Sequence, residues 1–146
     1  MKKILLIAGL LVSAFSFSQS YNLAIGLKGG YPSLGGLNAK KMLTKSTAAE
    51  FSIGGYAGGL YLSGLFEIQK PLPEPTGLDW YLGAGPTVGF GTNAFYFSVN
   101  GVIGLDYTFQ DFPLNIALDS GPVIQLIGSN SVFTWGGGFA IRYALK

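Results

Sequence analysis

Apolar and polar residues alternate strictly along residues 94–109, AFYFSVNGVIGLDYTF. One set of alternate positions carries aromatic and aliphatic side chains such as Phe97 and Leu105, and the other carries polar ones such as Ser98 and Asp106. A period of two residues is that of a β-strand with one apolar and one polar face. The segment therefore predicts a strand exposed to two different environments.

The same alternation recurs along most of the chain, between short turns rich in Gly, Pro, Ser and Asn. It predicts eight strands, at Tyr21–Gly30, Gly36–Leu43, Ala48–Gly55, Gly59–Gln69, Leu78–Phe90, Ala94–Phe109, Leu114–Ile127 and Val132–Leu145. An even number of antiparallel strands can close into a barrel with both chain ends on the same side. Because proline cannot donate to a strand ladder, we expect a bulge or a local break at Pro86 and at Pro122.

The first residues have the pattern of a targeting segment. Lys2 and Lys3 precede an apolar stretch from Ile4 to Phe15, and residues 16–18 (Ser-Phe-Ser) place small side chains where a signal peptidase reads. The apolar stretch is shorter than the roughly 18–20 residues that a membrane-spanning helix needs. We therefore expect a secretory signal peptide at residues 1–18 and a single barrel domain at residues 19–146.

Composition narrows the function classes. Charged residues make up 11% of the chain, against about 25% in an average soluble domain. The chain has no Cys and no His, which removes disulfides, thiolate ligands and the commonest general base and metal ligand. Without Lys2 and Lys3, seven basic residues balance seven acidic ones. We therefore expect no metal, no cofactor, no nucleic-acid partner and no enzymatic activity.

The charges that fall within the predicted strands are segregated to one face. Among them only Lys41 falls on the apolar side; the polar face carries Lys28, Lys40, Glu50, Glu67, Asp79, Asp106, Asp119 and Arg142. An apolar outer face with ions inside is typical of a barrel in lipid, where an outward Lys or Arg at the bilayer midplane costs roughly 2–4 kcal/mol. A soluble ligand-carrying barrel has the opposite polarity. The segregation predicts a transmembrane barrel.

The inward charges allow a structural and a catalytic interpretation. A pair of carboxylates can perform acid–base chemistry, but a barrel of eight strands is narrow enough for side chains to fill it. Buried ions must then pair with one another. We expect a structural network of salt bridges in a filled interior, with Asp119 and Arg142 as partners on neighbouring strands. An open pore is not expected at this strand number.

Three segments carry a resemblance to a known family: GLDWYLGAGPTVGF at 77–90, GLDYTFQDFPLNIALDSGP at 104–122 and GGGFAIRY at 136–143. They resemble segments of the small eight-stranded outer-membrane β-barrel proteins of Gram-negative bacteria, similar in build to OmpX-type barrels. The resemblance implies a cell outer-membrane location and two partners, outer-membrane lipid and the outer-membrane assembly machinery. Such chains usually end in an aromatic residue, whereas this one ends Ala-Leu-Lys, which implies weaker recognition or reliance on Tyr143.

The resemblance also implies a periplasmic N-terminus and hence the direction of each strand. Aromatic side chains settle at the headgroup level of a bilayer. We expect a periplasmic girdle of Tyr21, Trp80, Tyr107, Phe109 and Tyr143, and an outer girdle of Phe90, Phe95, Phe133 and Trp135.

Two functions remain open from the sequence. The first is an all-β, eight-stranded antiparallel up-and-down transmembrane barrel with a structural, envelope or surface-interaction role. The alternative is a secreted soluble barrel of the lipocalin kind that binds a small hydrophobic ligand. The alternative requires the opposite set of alternate residues to face the core, so the direction in which the side chains point separates the two.

Overall fold

The computed structural model describes residues 21–31, 35–56, 58–92, 94–128 and 133–146. The expected signal peptide, residues 1–18, lies outside the described residues. The described part of the chain is all-β and forms eight strands in sequence order. They are β1 (Leu23–Tyr31), β2 (Gly35–Met42), β3 (Thr47–Tyr56), β4 (Gly59–Pro71), β5 (Leu78–Gly91), β6 (Ala94–Thr108), β7 (Leu114–Ile127) and β8 (Phe133–Leu145).

The strands form a closed antiparallel barrel in which each strand pairs with its sequence neighbours. β1 also pairs with β8, from Leu23–Leu145 to Tyr31–Gly137, and this pairing closes the sheet. The predicted up-and-down barrel and its eight strands are therefore confirmed. The predicted bounds of β7 are those observed, and the other strands differ by at most two residues at the ends that the structure describes.

The two prolines interrupt the ladder without shifting its register. The β4–β5 register is the same on both sides of a gap that leaves Gly64–Leu65 and Gly85–Pro86 unpaired. Likewise, the β6–β7 register is unchanged across a gap opposite Pro122. The expected local breaks are thus present, because each proline lacks an N–H on one side. The register shift of β6–β7 lies instead between Phe97 and Ser98.

The two faces of the sheet differ as the alternation predicts. Large apolar side chains such as Phe51, Leu105 and Leu118 are exposed on the outer face. Inside, ionised and amide side chains such as Lys40 and Asn115 are completely buried. Alanines at inward positions leave room for these long side chains; they are Ala24, Ala48, Ala117, Ala140 and Ala144.

The barrel has two distinct ends. The terminus end contains the start of β1, the end of β8 and the turns that follow β2, β4 and β6. The opposite rim contains the connections that follow β1, β3, β5 and β7. In the β3–β4 turn at this rim Gly58 has φ of +77°, a backbone conformation that residues with a Cβ rarely adopt.

Candidate functional site

The barrel axis is occupied by a group of charged side chains that we call the ion cluster. Its members come from every strand except β5, which contributes the phenol of Tyr81 to the same group. They are Lys28, Lys40, Glu50, Glu67, Asp106, Asp119 and Arg142. Each strand contributes one inward side chain, and these side chains come into contact at the barrel axis. The cluster therefore forms only when the barrel is closed.

The ion cluster is continuous through direct contacts. Lys40 Nζ lies 2.7 Å from Glu67 Oε2 and 3.0 Å from Asp106 Oδ2. Arg142 joins Asp106 to Glu50, with Nη1 3.5 Å from Asp106 Oδ2 and Nη2 2.5 Å from Glu50 Oε2. Lys28 Nζ then joins Glu50 to Asp119, at 2.6 Å from each carboxylate. The cations therefore alternate with the carboxylates along the whole chain of contacts.

Tyr81 connects Asp119, at one end of this chain of contacts, back to Lys40 near the other end. Its hydroxyl donates to Asp119 Oδ2 at 2.7 Å, and the Lys40 ammonium lies 4.1 Å from the centre of its ring. A cation over an aromatic face is attracted by the ring quadrupole. Tyr81 therefore stabilises both Asp119 and Lys40, and the set becomes a closed circuit of polar contacts.

Asp106 and Arg142 have the largest number of hydrogen-bonding partners in the cluster. Asp106 accepts from Tyr21 at 3.2 Å, from Lys40 at 3.0 Å and from Asn115. Arg142 donates to Glu50, to Asn115 at 3.0 Å and to Asn38. These two residues are 1% exposed each, so their charges depend on protein partners rather than on water.

The expected pairing of Asp119 with Arg142 is wrong. In the β7–β8 register Arg142 lies opposite Asn115, whereas Asp119 lies opposite Gly138. The two residues are thus offset by four positions along the ladder, and each binds other partners. Asp119 contacts Lys28 and Tyr81 instead. That the two residues lie on adjacent strands was not enough to predict a contact, because the register of the strands decides which side chains meet.

Asp79 lies apart from the ion cluster. It accepts a hydrogen bond from Gln69 Nε2 at 2.6 Å and is only partly buried. The other seven residues of the expected interior network lie in the cluster.

Tyr21 does not take the girdle position expected of it. The residue precedes β1, so the strand alternation does not extend to it, and its side chain is buried at 3% exposure. Its hydroxyl donates to Asp106 Oδ2. Burial and the Asp106 carboxylate raise the pKa of this phenol, so the group keeps its proton and remains a donor.

The remaining aromatics expected in the girdles lie near the two ends of the barrel. At the terminus end Tyr143 is exposed, Trp80 and Tyr107 are half-buried, and Phe109 packs edge-on against Tyr107 at 4.8 Å between ring centres. At the opposite rim the exposed rings are Phe90, Phe95, Phe133 and Trp135. Trp135 also donates its indole N–H to Ser120 Oγ at 2.7 Å.

Two glycines make room for side chains of the cluster. A Cβ on Gly104 would lie 2.5 Å from Cζ of Tyr81, which faces it across the β5–β6 ladder. A Cβ on Gly138 would lie 2.8 Å from Lys28 Cε and 3.0 Å from Asp119 Oδ1. Both glycines therefore leave space that a larger residue would take from the cluster.

On the side of the ion cluster towards the opposite rim, the barrel contains a cavity of about 80 Å³ that we call the vestibule. Lys28, Glu50 and Asp119 line it at the cluster, and its walls include small polar residues such as Ser63 and Thr87. Glycines at positions 29, 30, 121 and 136–138 also line it. The interior is thus filled at the terminus end and partly open towards the opposite rim, which differs from the filled interior that we expected.

A chain of hydrogen bonds crosses the vestibule wall from β6 to β4. Ser98 Oγ donates to Asn100 Oδ1 at 2.9 Å, and Asn100 Nδ2 donates to Thr87 Oγ1 at 2.7 Å. Thr87 Oγ1 then donates to Ser63 Oγ at 2.8 Å. Between β2 and β3, Asn38 Nδ2 donates to Ser52 Oγ at 2.8 Å.

Sequence reasoning did not single out the neutral members of this interior. The side chains of Tyr81, Asn38 and Asn115 lie at inward positions of the alternating pattern, as do the hydroxyl and amide residues of the vestibule wall, such as Ser63, Thr87 and Asn100. Their position predicts an inward direction, but their partners lie on strands distant in sequence. The alternation therefore predicts which side chains point into the barrel, but it does not predict which of them contact one another.

The chemistry available inside the barrel is that of paired ions. Within the described ranges, no cluster of three or more His, Cys, Asp or Glu residues is arranged to hold a metal ion. No helix among the described residues is long and apolar enough to cross a bilayer. Comparison with protein-family models, with curated proteins and with solved structures gave no match for this chain.

Proposed function

We propose that this chain is an integral outer-membrane β-barrel protein with a structural, envelope or surface-interaction role. The observation that carries the proposal is the polarity of the closed barrel, which exposes large apolar side chains on its outer face and places the charges of the ion cluster inside. This arrangement suits a hydrocarbon surrounding and is unfavourable in water.

The outer face supports the proposal along its whole length. Phe51, Leu37 and Leu118 are more than 60% exposed, and similar apolar side chains occur on every strand. Contiguous apolar surface larger than a few hundred Å² is rare on soluble monomers and marks an interaction with lipid or protein. A surrounding bilayer would cover all of this surface at once, and closure of the barrel leaves no unpaired strand edge in hydrocarbon.

The interior supports a role other than that of an open pore or a lipocalin-like carrier. The ion cluster crosses the axis with buried side chains, and lumens that conduct water belong to barrels with many more strands. A lipocalin-like carrier needs an apolar chamber, whereas the vestibule is bordered by Lys28, Glu50 and Asp119. In the proposed role the barrel is non-enzymatic, and its partners are outer-membrane lipid and the assembly machinery that inserts it.

Fractionation of a Gram-negative host expressing the full chain tests the proposal. We expect the protein in the outer-membrane fraction, with extraction by detergent but not by salt or carbonate. On a gel, the unheated sample should migrate differently from the boiled one, since a closed barrel resists unfolding in detergent. A protein that remains soluble in aqueous buffer after lysis would support the lipocalin-like alternative and contradict the proposal.

A further inference from the structure

Two serine hydroxyls face each other in the vestibule, and each can still donate a hydrogen bond. Ser52 and Ser63 are register partners on β3 and β4, which places their Cβ atoms roughly 4.5–5.5 Å apart. Each accepts a hydrogen bond, Ser52 from Asn38 and Ser63 from Thr87. Among the described residues, neither hydroxyl proton has an acceptor. Both hydroxyls are therefore available as donors to a ligand.

The ion cluster supplies complementary groups at the same cavity. Asp119 receives Lys28 and Tyr81 on a single oxygen, Oδ2, which leaves Oδ1 without a hydrogen bond among the described residues. Lys28 has three N–H donors and uses two of them, on Glu50 and Asp119. The vestibule therefore presents both donors and an acceptor within one small space.

The charge of the cluster restricts what can bind beside it. Four carboxylates face three cations, so the cluster has a formal charge of −1. A second negative charge brought into this low-dielectric space would be repelled. The ligand that matches is uncharged and carries groups that both donate and accept hydrogen bonds, as a hydroxyl does.

Size sets the second restriction. The vestibule measures about 80 Å³, and a water molecule in the liquid occupies about 30 Å³. The cavity therefore accommodates a few waters or one small organic molecule. Its walls also include the apolar side chains of Leu65, Val102 and Val123, which can contact the carbon atoms of such a molecule.

From these observations we propose that the vestibule is a binding site for a small uncharged polyol, held by Ser52, Ser63 and Asp119. The polyol enters from the opposite rim, because the ion cluster blocks the axis towards the terminus end. The site depends on the closed barrel alone and is independent of what surrounds the outer face. Its failure and the failure of the proposed membrane location are therefore distinguishable.

The test titrates the full folded chain in detergent with glycerol and follows the methyl NMR signals of Val102 and Val123. We expect saturable shifts of both signals, and no saturable shift with acetate, which has a similar size but a negative charge. The double variant Ser52→Ala/Ser63→Ala should weaken glycerol binding about tenfold, because it removes two hydrogen bonds. Each single variant should weaken it about threefold. Ser46→Ala, in the turn after β2, is the matched control and should leave the affinity unchanged.

Several outcomes would overturn the proposal. Shifts that rise linearly with glycerol and never saturate would show a vestibule filled by solvent only. Equal affinity for acetate would contradict the argument from charge, and this comparison needs no variant. If the double variant does not fold, the single variants decide: unchanged glycerol affinity in both would remove the serines from the site.

Discussion

The two halves of the barrel interior are built from the same alternating strands but are filled in different ways. At the terminus end, the inward positions carry long ionised side chains, including Lys40, Glu67, Asp106 and Arg142, with side-chain exposures of 0–1%. Towards the opposite rim, the vestibule is lined by glycines and by small hydroxyl or amide side chains, together with a few larger side chains such as Tyr61 and Leu65. Alternation predicts the direction of the side chains in both halves, while the glycines and short side chains of the second half leave the vestibule between its larger side chains.

The comparison also indicates a difference in energetic role. Removing one member of a buried ion pair leaves an uncompensated charge. Removing one member of a neutral hydrogen-bonded pair beside a cavity leaves a group that water can reach. We therefore expect substitutions at the terminus end to reduce stability much more than substitutions around the vestibule.

The largest effect is expected from Arg142→Met. The change leaves Glu50 and Asp106 without their shared cation, and breaking a buried pair in this way costs about 3–5 kcal/mol. The free energy of unfolding, measured by urea titration of the refolded protein and followed by tryptophan fluorescence, should fall by that amount. Lys70→Met, which removes an exposed charge at the end of β4, is the control and should change it by less than about 0.5 kcal/mol. Equal effects of the two variants would contradict a stabilising role for the cluster.

Asp119→Asn probes the boundary between the two halves. The carboxylate accepts from Lys28 and Tyr81, and hydrogen bonds to charged groups contribute about 1.5–3 kcal/mol. Because the Lys28 side chain keeps 14% exposure, water can compensate part of the loss. The same urea titration should therefore show a decrease smaller than that of Arg142→Met. An unchanged urea midpoint of unfolding would mean that the Asp119 carboxylate does not stabilise the barrel through the ion cluster.

Gly104→Ala tests how tightly the filled half is packed. The added Cβ would lie 2.5 Å from the Tyr81 ring and 2.6 Å from the backbone oxygen of Leu118, and overpacking of this kind costs about 1–3 kcal/mol. Gly55→Ala on β3 adds the same methyl group where no atom lies within 4 Å. We expect a lower unfolding free energy for the first variant only. Comparable stability of both variants would show that Tyr81 and the neighbouring β7 backbone adjust without cost, and would contradict tight packing of this half.

Ser98→Ala should have the smallest effect. It removes the first donor of the vestibule hydrogen-bond chain, which ends at Ser63, and a neutral hydrogen bond contributes about 0.5–1.5 kcal/mol. Thermal melts of the variant and the wild type in the same detergent measure the difference. A loss of stability as large as that of Arg142→Met would contradict the expected difference in energetic role between the two halves of the interior.

Most of the fold was predictable from the sequence, because the period of two, the turn residues and the even strand number all indicate the same barrel. The inward direction of Lys40 and Glu67 followed from the same pattern. The prolines were also predictable as ladder breaks, since the missing N–H is a property of the residue itself.

The contacts inside the barrel were less predictable. Whether Asp119 meets Arg142 or Lys28 depends on register and strand tilt, which the alternation of a single strand does not contain. Tyr21 points inward because it lies just before β1, where the pattern of the strand no longer applies. The vestibule depends on glycines from several strands lying at one level, and that is a property of the closed barrel.

The most direct test of the proposed polarity places a charge on the outer face at the middle of a strand. In Ile103→Arg, the new side chain replaces one that is 57% exposed on β6; in Leu43→Arg, it replaces one that is 53% exposed in a turn at the terminus end. For protein refolded into lipid vesicles, Ile103→Arg should lower the unfolding free energy by about 2–4 kcal/mol and Leu43→Arg by no more than about 1 kcal/mol. The contradicting result is a protein that folds in aqueous buffer, does not insert into lipid vesicles and has the same unfolding free energy with either arginine. Such a protein would not have its outer face in hydrocarbon.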